Sequence, residues 1–177
     1  MSYVNQATID LIKKWEGFKA DAYRDAVNVW TIGYGTTGKA GIGVYPKAGM
    51  TVTKAQAEKY LRLVVDDFAK RIKPHITAPI NENEFGAFVS LAYNIGPSAF
   101  IKSTALRRFN DGDKGGAVEA LTWFDKAGGK VMRGLANRRA DEARLFLTPA
   151  APAPVAAPSF IAALIAFIVS LFGKAKP

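Results

Sequence analysis

The sequence predicts an α+β fold with two lobes, in which a long helix joins a small β-hairpin lobe to a larger helical lobe. Three observations indicate this arrangement. Residues 18–45 combine five glycines with β-forming side chains, as in a small antiparallel sheet. A long stretch after Thr53 keeps its apolar residues on one helical face, and short helical patterns follow from Asn81 to Phe146. We expect a cleft between the two lobes.

The first element is a helix that ends near Glu16. Its apolar residues Ile9, Ile12 and Trp15 recur at helical spacing, and Gly17 follows as a stop signal. The glycine-rich segment comes directly after this helix. Its alternation of glycines and β-forming residues predicts a hairpin or a small antiparallel sheet.

The joining helix is marked at both of its ends. Thr53 and Gln56 have the spacing of a capping box, in which each side chain accepts a hydrogen bond from the backbone of the other residue. Pro74 marks the far end, because the residue before a proline disfavours the helical conformation. The helix should therefore end at Lys73, after about twenty residues or roughly 30 Å.

Four shorter helices are expected in the second lobe, with breaks at the turn-forming sequences IGPS, NDGD and KAGGK. Trp123 and Phe124 lie at helical spacing and are interpreted as core residues. The last helix carries three arginines that we interpret as a solvated basic face: Arg138, Arg139 and Arg144. The four predicted helices are residues 81–94, 103–109, 114–124 and 134–147.

The composition favours a folded and basic protein. Apolar residues make up 49% of the chain, charged residues make up 22%, and the net charge is +9. Such a charge favours anionic partners: nucleic acid, anionic lipid or a polyanionic wall polymer. Cysteine is absent and His75 is the only histidine, which argues against disulfides, thiol nucleophiles and multi-histidine metal sites. We expect no metal and no cofactor and, without a DNA-binding motif, no nucleic-acid partner.

Glu16, Asp25 and Thr31 are the candidate catalytic group. Two carboxyl groups cleave a glycosidic bond when one is a protonated acid and the other stays ionised. Glu16 lies at the C-terminal end of a helix, where the dipole disfavours negative charge, and Trp15 can exclude water from it. Both effects favour the protonated form. Asp25 lies in a polar turn beside Arg24, which favours the ionised form, and Thr31 can position a water molecule.

The spacing of this group, with eight residues between Glu16 and Asp25 and five between Asp25 and Thr31, is followed by IGYGTTG. This pattern resembles the T4-type phage lysozymes, or endolysins, particularly their lambdoid-like branch. The resemblance continues through NENEFGAFVSLAYNIG, FIKSTALRRFN, AGGKVMRGLANRR and DEARLF, and covers about residues 5–147. It implies a lysozyme-like fold and an inverting muramidase that hydrolyses the β-1,4 bond between N-acetylmuramic acid and N-acetylglucosamine in peptidoglycan.

The resemblance also assigns roles to residues. It implies that Glu16 is the general acid, that Asp25 is the second carboxylate, acting as base or as electrostatic stabiliser, and that Thr31 is the third member. Tyr34 is a further candidate, and two roles are equally compatible with its position: stacking on a sugar ring and packing within the hairpin. The candidates for saccharide contacts are Gly33, Tyr34, Tyr93, Asn94 and Ser103.

A proline- and alanine-rich linker, residues 148–158, separates the predicted catalytic domain, residues 1–147, from a hydrophobic C-terminal helix with a basic end, residues 159–177. An apolar segment on a stiff tether usually marks a membrane or partner site. Three arrangements stay open: a helix that spans or anchors in a membrane, a helix that lies in the interface, and a segment that packs on the body or self-associates. The predicted membrane-interacting residues are Phe160, Leu164, Phe167, Ile168, Leu171, Phe172, Lys174 and Lys176.

The expected partners are peptidoglycan and, through the C-terminal helix, a bacterial membrane or lipopolysaccharide. The N-terminus has no signal-peptide pattern, so we expect synthesis in the host cytoplasm, action in the periplasm or cell wall, and a monomer. The resemblance suggests a holin for release. Two other functions remain open, a lytic transglycosylase and a wall- or membrane-binding module on a lysozyme scaffold without catalysis.

Overall fold

A computed structural model describes residues 3–150. The chain begins with a helix, continues into a three-stranded antiparallel sheet in the order β1-β2-β3, and then enters a long helix that leads to the helical part. A two-stranded hairpin precedes the last helix. The elements are α1 (Gln6–Glu16), β1 (Lys19–Arg24), β2 (Trp30–Gly33), β3 (Thr36–Thr37), α2 (Lys54–Ile72), α3 (Glu82–Ile95), α4 (Pro97–Ile101), α5 (Thr104–Asn110), α6 (Lys114–Thr122), β4 (Lys126–Ala127), β5 (Lys130–Val131) and α7 (Arg133–Leu147).

This architecture confirms the predicted α+β class. The long helix α2 packs against β2 and β3 on one side and against α3 and α4 on the other, so it connects the sheet to the helical part as expected. Among residues 3–150, no helix has both the length and the apolar character needed to cross a membrane. The predicted C-terminal helix, residues 159–177, and most of the linker lie outside the described residues.

The helix boundaries follow from local chemistry. Helix α1 ends before Gly17, which adopts a φ of 68° that is strained for other residues. The predicted capping box of Thr53 and Gln56 is present at the start of α2, and a second capping box joins Asn81 and Glu84 at the start of α3. These side chains satisfy N–H groups that a helix leaves unpaired at its N-terminus.

Helix α3 is the centre of the core, because it is buried along most of its length. The ring of Phe88 contacts the rings of Phe100, Phe109 and Phe146 at centroid distances of 5.1, 5.2 and 5.3 Å. On another face, a side chain at Gly86 would collide with Thr8 of α1. The missing side chain therefore allows α1 and α3 to approach closely, and this approach brings the end of α1 to the helical part.

Two stretches that the sequence predicts as breaks form secondary structure. Gly96 ends α3 with a φ of 89°, and α4 starts at once because Pro97 is well suited to the first turn of a helix. Gly128 and Gly129 have φ values of 56° and 76°, which suit a two-residue hairpin turn, and the KAGGK stretch becomes the β4–β5 hairpin.

The prediction that Trp123 is a core residue is wrong. Helix α6 ends at Thr122, so the helical spacing that placed Trp123 inside does not apply to it. Its side chain is 50% exposed, and the Arg108 guanidinium lies 5.2 Å from the ring centroid. Phe124 packs, partly buried, against the core.

Candidate active site

The Glu16 side chain, at the last residue of α1, is held by an arginine from α7. Arg138 Nη1 donates a 2.8 Å hydrogen bond to Glu16 Oε1, across 122 residues of sequence. The Arg138 side chain is only 6% exposed, whereas that of Glu16 is 23% exposed. The carboxyl group therefore has one side against a buried cation and remains accessible to solvent.

The other oxygen of Glu16 faces a glycine in the turn between β2 and β3. A Cβ atom at Gly35 would lie 3.6 Å from Glu16 Oε2 and 3.9 Å from the hydroxyl oxygen of Tyr93. Gly35 also has a φ of 85°, which other residues rarely adopt. The structure thus brings Glu16, Gly35 and Tyr93 together, and the glycine keeps the space beside the carboxyl group open.

Tyr93, a predicted saccharide contact on α3, lies close to Glu16. Its hydroxyl group donates a 3.3 Å hydrogen bond to the carbonyl oxygen of Tyr34. Burial raises the pKa of Tyr93, and the negative charge of Glu16 raises it further. The phenol is therefore a neutral hydrogen-bond donor beside Glu16 at physiological pH.

Asp25, at the start of the turn between β1 and β2, lies next to Thr31 of β2. Asp25 Oδ1 accepts hydrogen bonds from the backbone N–H groups of Val27 and Val29, at 3.0 and 2.8 Å. The Thr31 hydroxyl oxygen lies 3.5 Å from Asp25 Oδ2 and 3.2 Å from the Val29 carbonyl oxygen. Thr31 is buried in β2, so the sheet fixes its hydroxyl group next to the carboxylate.

The expected pairing of Arg24 with Asp25 is not found among the ion pairs of residues 3–150. The Arg24 guanidinium donates instead to the carbonyl oxygen of Asn28 at 2.7 Å and lies 4.6 Å from the ring centroid of Trp30. Asp25 directly follows β1, and its carboxylate accepts hydrogen bonds from the backbone of the turn that it begins. Backbone N–H groups, and not Arg24, are therefore the hydrogen-bond partners of the Asp25 carboxylate.

The interpretation of Arg138 and Arg139 as a solvated face is also wrong. Glu142 Oε1 accepts hydrogen bonds from Arg138 Nε at 3.2 Å, Arg139 Nη2 at 2.9 Å and Ser90 Oγ at 2.7 Å, and all four side chains are buried. Burial lowers the pKa of Arg139 and raises the pKa of Glu142. Arg144 is solvated as predicted, with 72% of its side chain exposed.

Sequence reasoning missed this network, although one signal was present. Glu142 follows Arg138 by four residues and Arg139 by three, the spacing at which helical side chains meet. Such pairs usually lie on a solvated face. Burial of this one depends on the packing of α7 against α3.

A cavity of about 520 Å³ opens beside the carboxyl group. Glu16, Arg138 and the predicted saccharide contact Asn94 all line it, together with Trp15 and residues of the β4–β5 hairpin and α7. The indole N–H of Trp15 is buried without a hydrogen-bond partner. The cavity is large enough to hold part of a saccharide chain.

The remaining predicted saccharide contacts have structural roles, and none of them lines the cavity beside Glu16. A Cβ atom at Gly33 would lie 2.8 Å from the Ala57 side chain, so Gly33 packs against α2. The Tyr34 ring is buried, 5.5 Å from the Phe18 ring, which fits packing within the hairpin. Ser103 is the N-cap of α5, where its hydroxyl oxygen accepts from the Leu106 N–H, and it lines a different cavity from Glu16.

Known proteins are similar to this chain in sequence and in fold. A family model described as phage lysozyme matches residues 13–142. The endolysin of Bacillus phage PZA is 39% identical over 145 residues, which are 81% of this chain and 54% of that protein. The chain therefore spans about half the length of the Bacillus phage endolysins that it matches.

Two solved structures share most of the architecture. An endolysin from Escherichia coli O157:H7 phage FAHEc1 is 39% identical with a TM-score of 0.74, and the match covers 85% of this chain and 96% of that chain. A mutant of phage P22 lysozyme is 34% identical with a TM-score of 0.76, and the match covers 84% of this chain and all of that chain. These similarities confirm the lysozyme-like fold that the sequence predicts.

Proposed function

The chain belongs to the phage lysozyme family, and from this premise we propose that it is an endolysin that hydrolyses peptidoglycan during lysis of a bacterial host. The bond cleaved is the β-1,4 glycosidic bond between N-acetylmuramic acid and N-acetylglucosamine. The observation that carries the proposal is the placement of Glu16. Its carboxyl group lies between a buried guanidinium and the open side of Gly35, at the edge of a cavity of saccharide size.

In this proposal Glu16 is the general acid that protonates the leaving oxygen. Asp25 is the second carboxylate, as a base for the attacking water or as a stabiliser of positive charge on the sugar ring. Its Oδ1 atom accepts hydrogen bonds from two backbone N–H groups, which hold the carboxylate in place for either role. Thr31 holds that carboxylate or the water through its hydroxyl group.

Asn94 and Tyr93 are the proposed saccharide contacts on the helical side, because Asn94 lines the cavity and Tyr93 lies beside Glu16. Gly33 and Tyr34 contribute by shaping the turn that carries Gly35. Gly33 packs against Ala57 of α2, and the ring of Tyr34 packs against the ring of Phe18. Ser103 lines a different cavity from Glu16, and its hydroxyl group caps α5.

Mass spectrometry of digested peptidoglycan tests the reaction. Reducing muramic ends are expected from hydrolysis. Anhydromuramic ends would instead identify a lytic transglycosylase, and the absence of products would identify a binding module. Glu16→Gln should abolish product release while the protein remains folded. Glu119→Gln, at a carboxylate with a 63% exposed side chain, is the matched control and should retain full activity.

The proposed stereochemistry is inversion, in which water attacks from the face opposite the leaving group. Proton NMR of a fresh digest of a soluble glycan substrate should show the α anomer as the first product. Initial formation of the β anomer would instead indicate a retaining mechanism with Asp25 as nucleophile.

We also propose that the hydrophobic segment, residues 159–177, brings the enzyme to a bacterial membrane or to lipopolysaccharide. The support is its sequence, which is uncharged from Ser159 to Gly173 and then basic at Lys174 and Lys176. The full chain should bind anionic liposomes, and a chain of residues 1–148 should not. Equal binding and equal lysis of intact cells by both chains would contradict the proposal.

The same proposal places the enzyme in the periplasm or cell wall as a monomer, with a holin as the partner for release. Sedimentation of the full chain should give the mass of one copy, 19.1 kDa. Expression in a host with and without a co-expressed holin tests the release route. Lysis that starts only with the holin supports this partner, and equally rapid lysis without it contradicts it.

A further inference from the structure

Four charged side chains form a row that runs from the cavity into the core. Glu16 lies at its outer end, Arg138 comes next, and Glu142 and Arg139 follow inside. Arg138 is shared, because its Nη1 donates to Glu16 and its Nε donates to Glu142. With both carboxyl groups ionised, the two negative and two positive charges cancel.

We propose that Glu142 is a positioning residue that offsets the charge of Arg138 and thereby allows Glu16 to hold the proton that it donates. The inference rests on the proposed function, since it concerns the acid of the same reaction. Glu142 touches no substrate in this scheme and acts only through Arg138.

The physical problem is the protonation of Glu16. A general acid must carry its proton when the substrate binds, whereas a cation in contact with a carboxyl group favours the ionised form. Arg138 cannot relieve this conflict by losing its own proton, because a guanidinium stays charged in proteins. A second anion on the same guanidinium reduces the positive potential at Glu16.

Glu142 has the geometry for this task. Its carboxylate is fully buried, so its charge is weakly screened by solvent. All three of its hydrogen bonds reach one oxygen atom, Oε1, which fixes the charge 3.2 Å from Arg138 Nε. Arg139 has the opposite effect, because it neutralises part of the Glu142 charge from the inner side.

One further titratable group interacts with the row, and the other charged residues of α1, α3 and α7 are exposed or form ion pairs outside it. Tyr93 of α3 interacts electrostatically with both Glu16 and Arg138. Glu82 of α3 and Arg133 of α7 are exposed. The remaining charged residues of α1, α3 and α7 in the described part of the chain form ion pairs outside the row: Asp10, Lys13, Lys14, Glu84, Asp141 and Arg144.

The test is the pH dependence of kcat/KM for reducing-end release from purified peptidoglycan. Loss of the proton from the general acid produces the alkaline limb of this profile. Glu142→Gln adds one net positive charge to the row, so the alkaline limb should move to lower pH by roughly one pH unit. Arg139→Gln adds one net negative charge, so the limb should move to higher pH.

Two further variants separate charge from structure. Glu142→Asp retains the charge and should keep the limb at its wild-type position, even if it lowers stability. The double variant Arg139→Gln with Glu142→Gln restores the charge balance and should return the limb towards wild type. Circular dichroism establishes the folded range of each variant, and the assays are run below its unfolding temperature.

A purely structural role predicts a different result. Each single variant would then lower stability and rate, but the limb would stay in place or move in the same direction for both charge changes. Either outcome overturns the inference. If Glu142→Gln does not fold, Arg139→Gln tests the inference by itself, because its alkaline limb must move to higher pH. The proposed function fails separately, if the wild-type chain releases no reducing ends, and the assignment of Glu16 as the acid fails if Glu16→Gln still releases them.

Discussion

The substitution Arg138→Met should destabilise the protein far more than Arg144→Met, although both arginines lie on α7 and both form ion pairs. Arg138 is 6% exposed and joins Glu16 to the fully buried Glu142. Arg144 is 72% exposed and pairs with Asp141, which keeps Lys14 as a second partner. Methionine preserves much of the side-chain length in both cases.

The burial of the partners sets the magnitude. Removing one member of a buried ion pair costs about 3–5 kcal/mol, because the remaining charge loses its compensation. Losing an exposed pair costs at most about 1 kcal/mol. For a protein of this size, 1 kcal/mol corresponds to roughly 2–4 °C in Tm. Arg138→Met should therefore lower Tm by about 6–20 °C, and Arg144→Met by less than about 4 °C.

Thermal unfolding followed by circular dichroism at pH 7 measures both values under one set of conditions, and urea unfolding gives the free energies. A difference in Tm between the two variants smaller than about 2 °C would refute the reasoning. It would mean that the charges around Glu142 contribute no more to stability than a surface pair does. Activity is recorded alongside, and only Arg138→Met should lower it.

Three other predictions concern stability. Lys13 donates a hydrogen bond that lowers the pKa of Glu58. Glu58→Gln should therefore lower the free energy of unfolding by up to about 1 kcal/mol at pH 7. In urea titrations this difference should vanish as the pH falls below the ordinary glutamate range, because Glu58 is then protonated in the wild-type protein as well. Gly33→Ala should cost at least about 1–2 kcal/mol, because its φ is 68° and its Cβ would meet Ala57; an unchanged urea midpoint would contradict this. Asn81→Ala removes the cap of α3 and should cost about 0.5–2 kcal/mol, measured by the same titration.

Local features of the fold could be predicted from the sequence. The stop at Gly17, the capping box of Thr53 and Gln56 and the glycine-rich sheet were all confirmed, because each depends on residues a few positions apart. The α4 helix and the β4–β5 hairpin were missed. In both, glycines and proline mark a change of direction, and only packing decides whether new structure begins there.

Part of the candidate site depends on local sequence. The spacing of Glu16, Asp25 and Thr31 predicts the catalytic group, and the hydrogen bonds between Thr31, Asp25 and the turn are as local as that spacing. The roles of these residues stay predictions. The predicted pairing of Asp25 with Arg24 was wrong. The Arg24 guanidinium instead donates to the Asn28 carbonyl oxygen and lies over the ring of Trp30.

The fold class, the order of the main elements and the position of Glu16 at the end of α1 followed from the sequence. The groups that surround the Glu16 carboxyl depend on tertiary packing. Arg138 lies 122 residues from Glu16, and its place in the core depends on α1, α3 and α7 packing together. Charged residues spaced three and four apart look the same on a buried face and on a solvated one. Only the neighbouring helices determine whether water or Glu16 accepts a hydrogen bond from the Arg138 guanidinium.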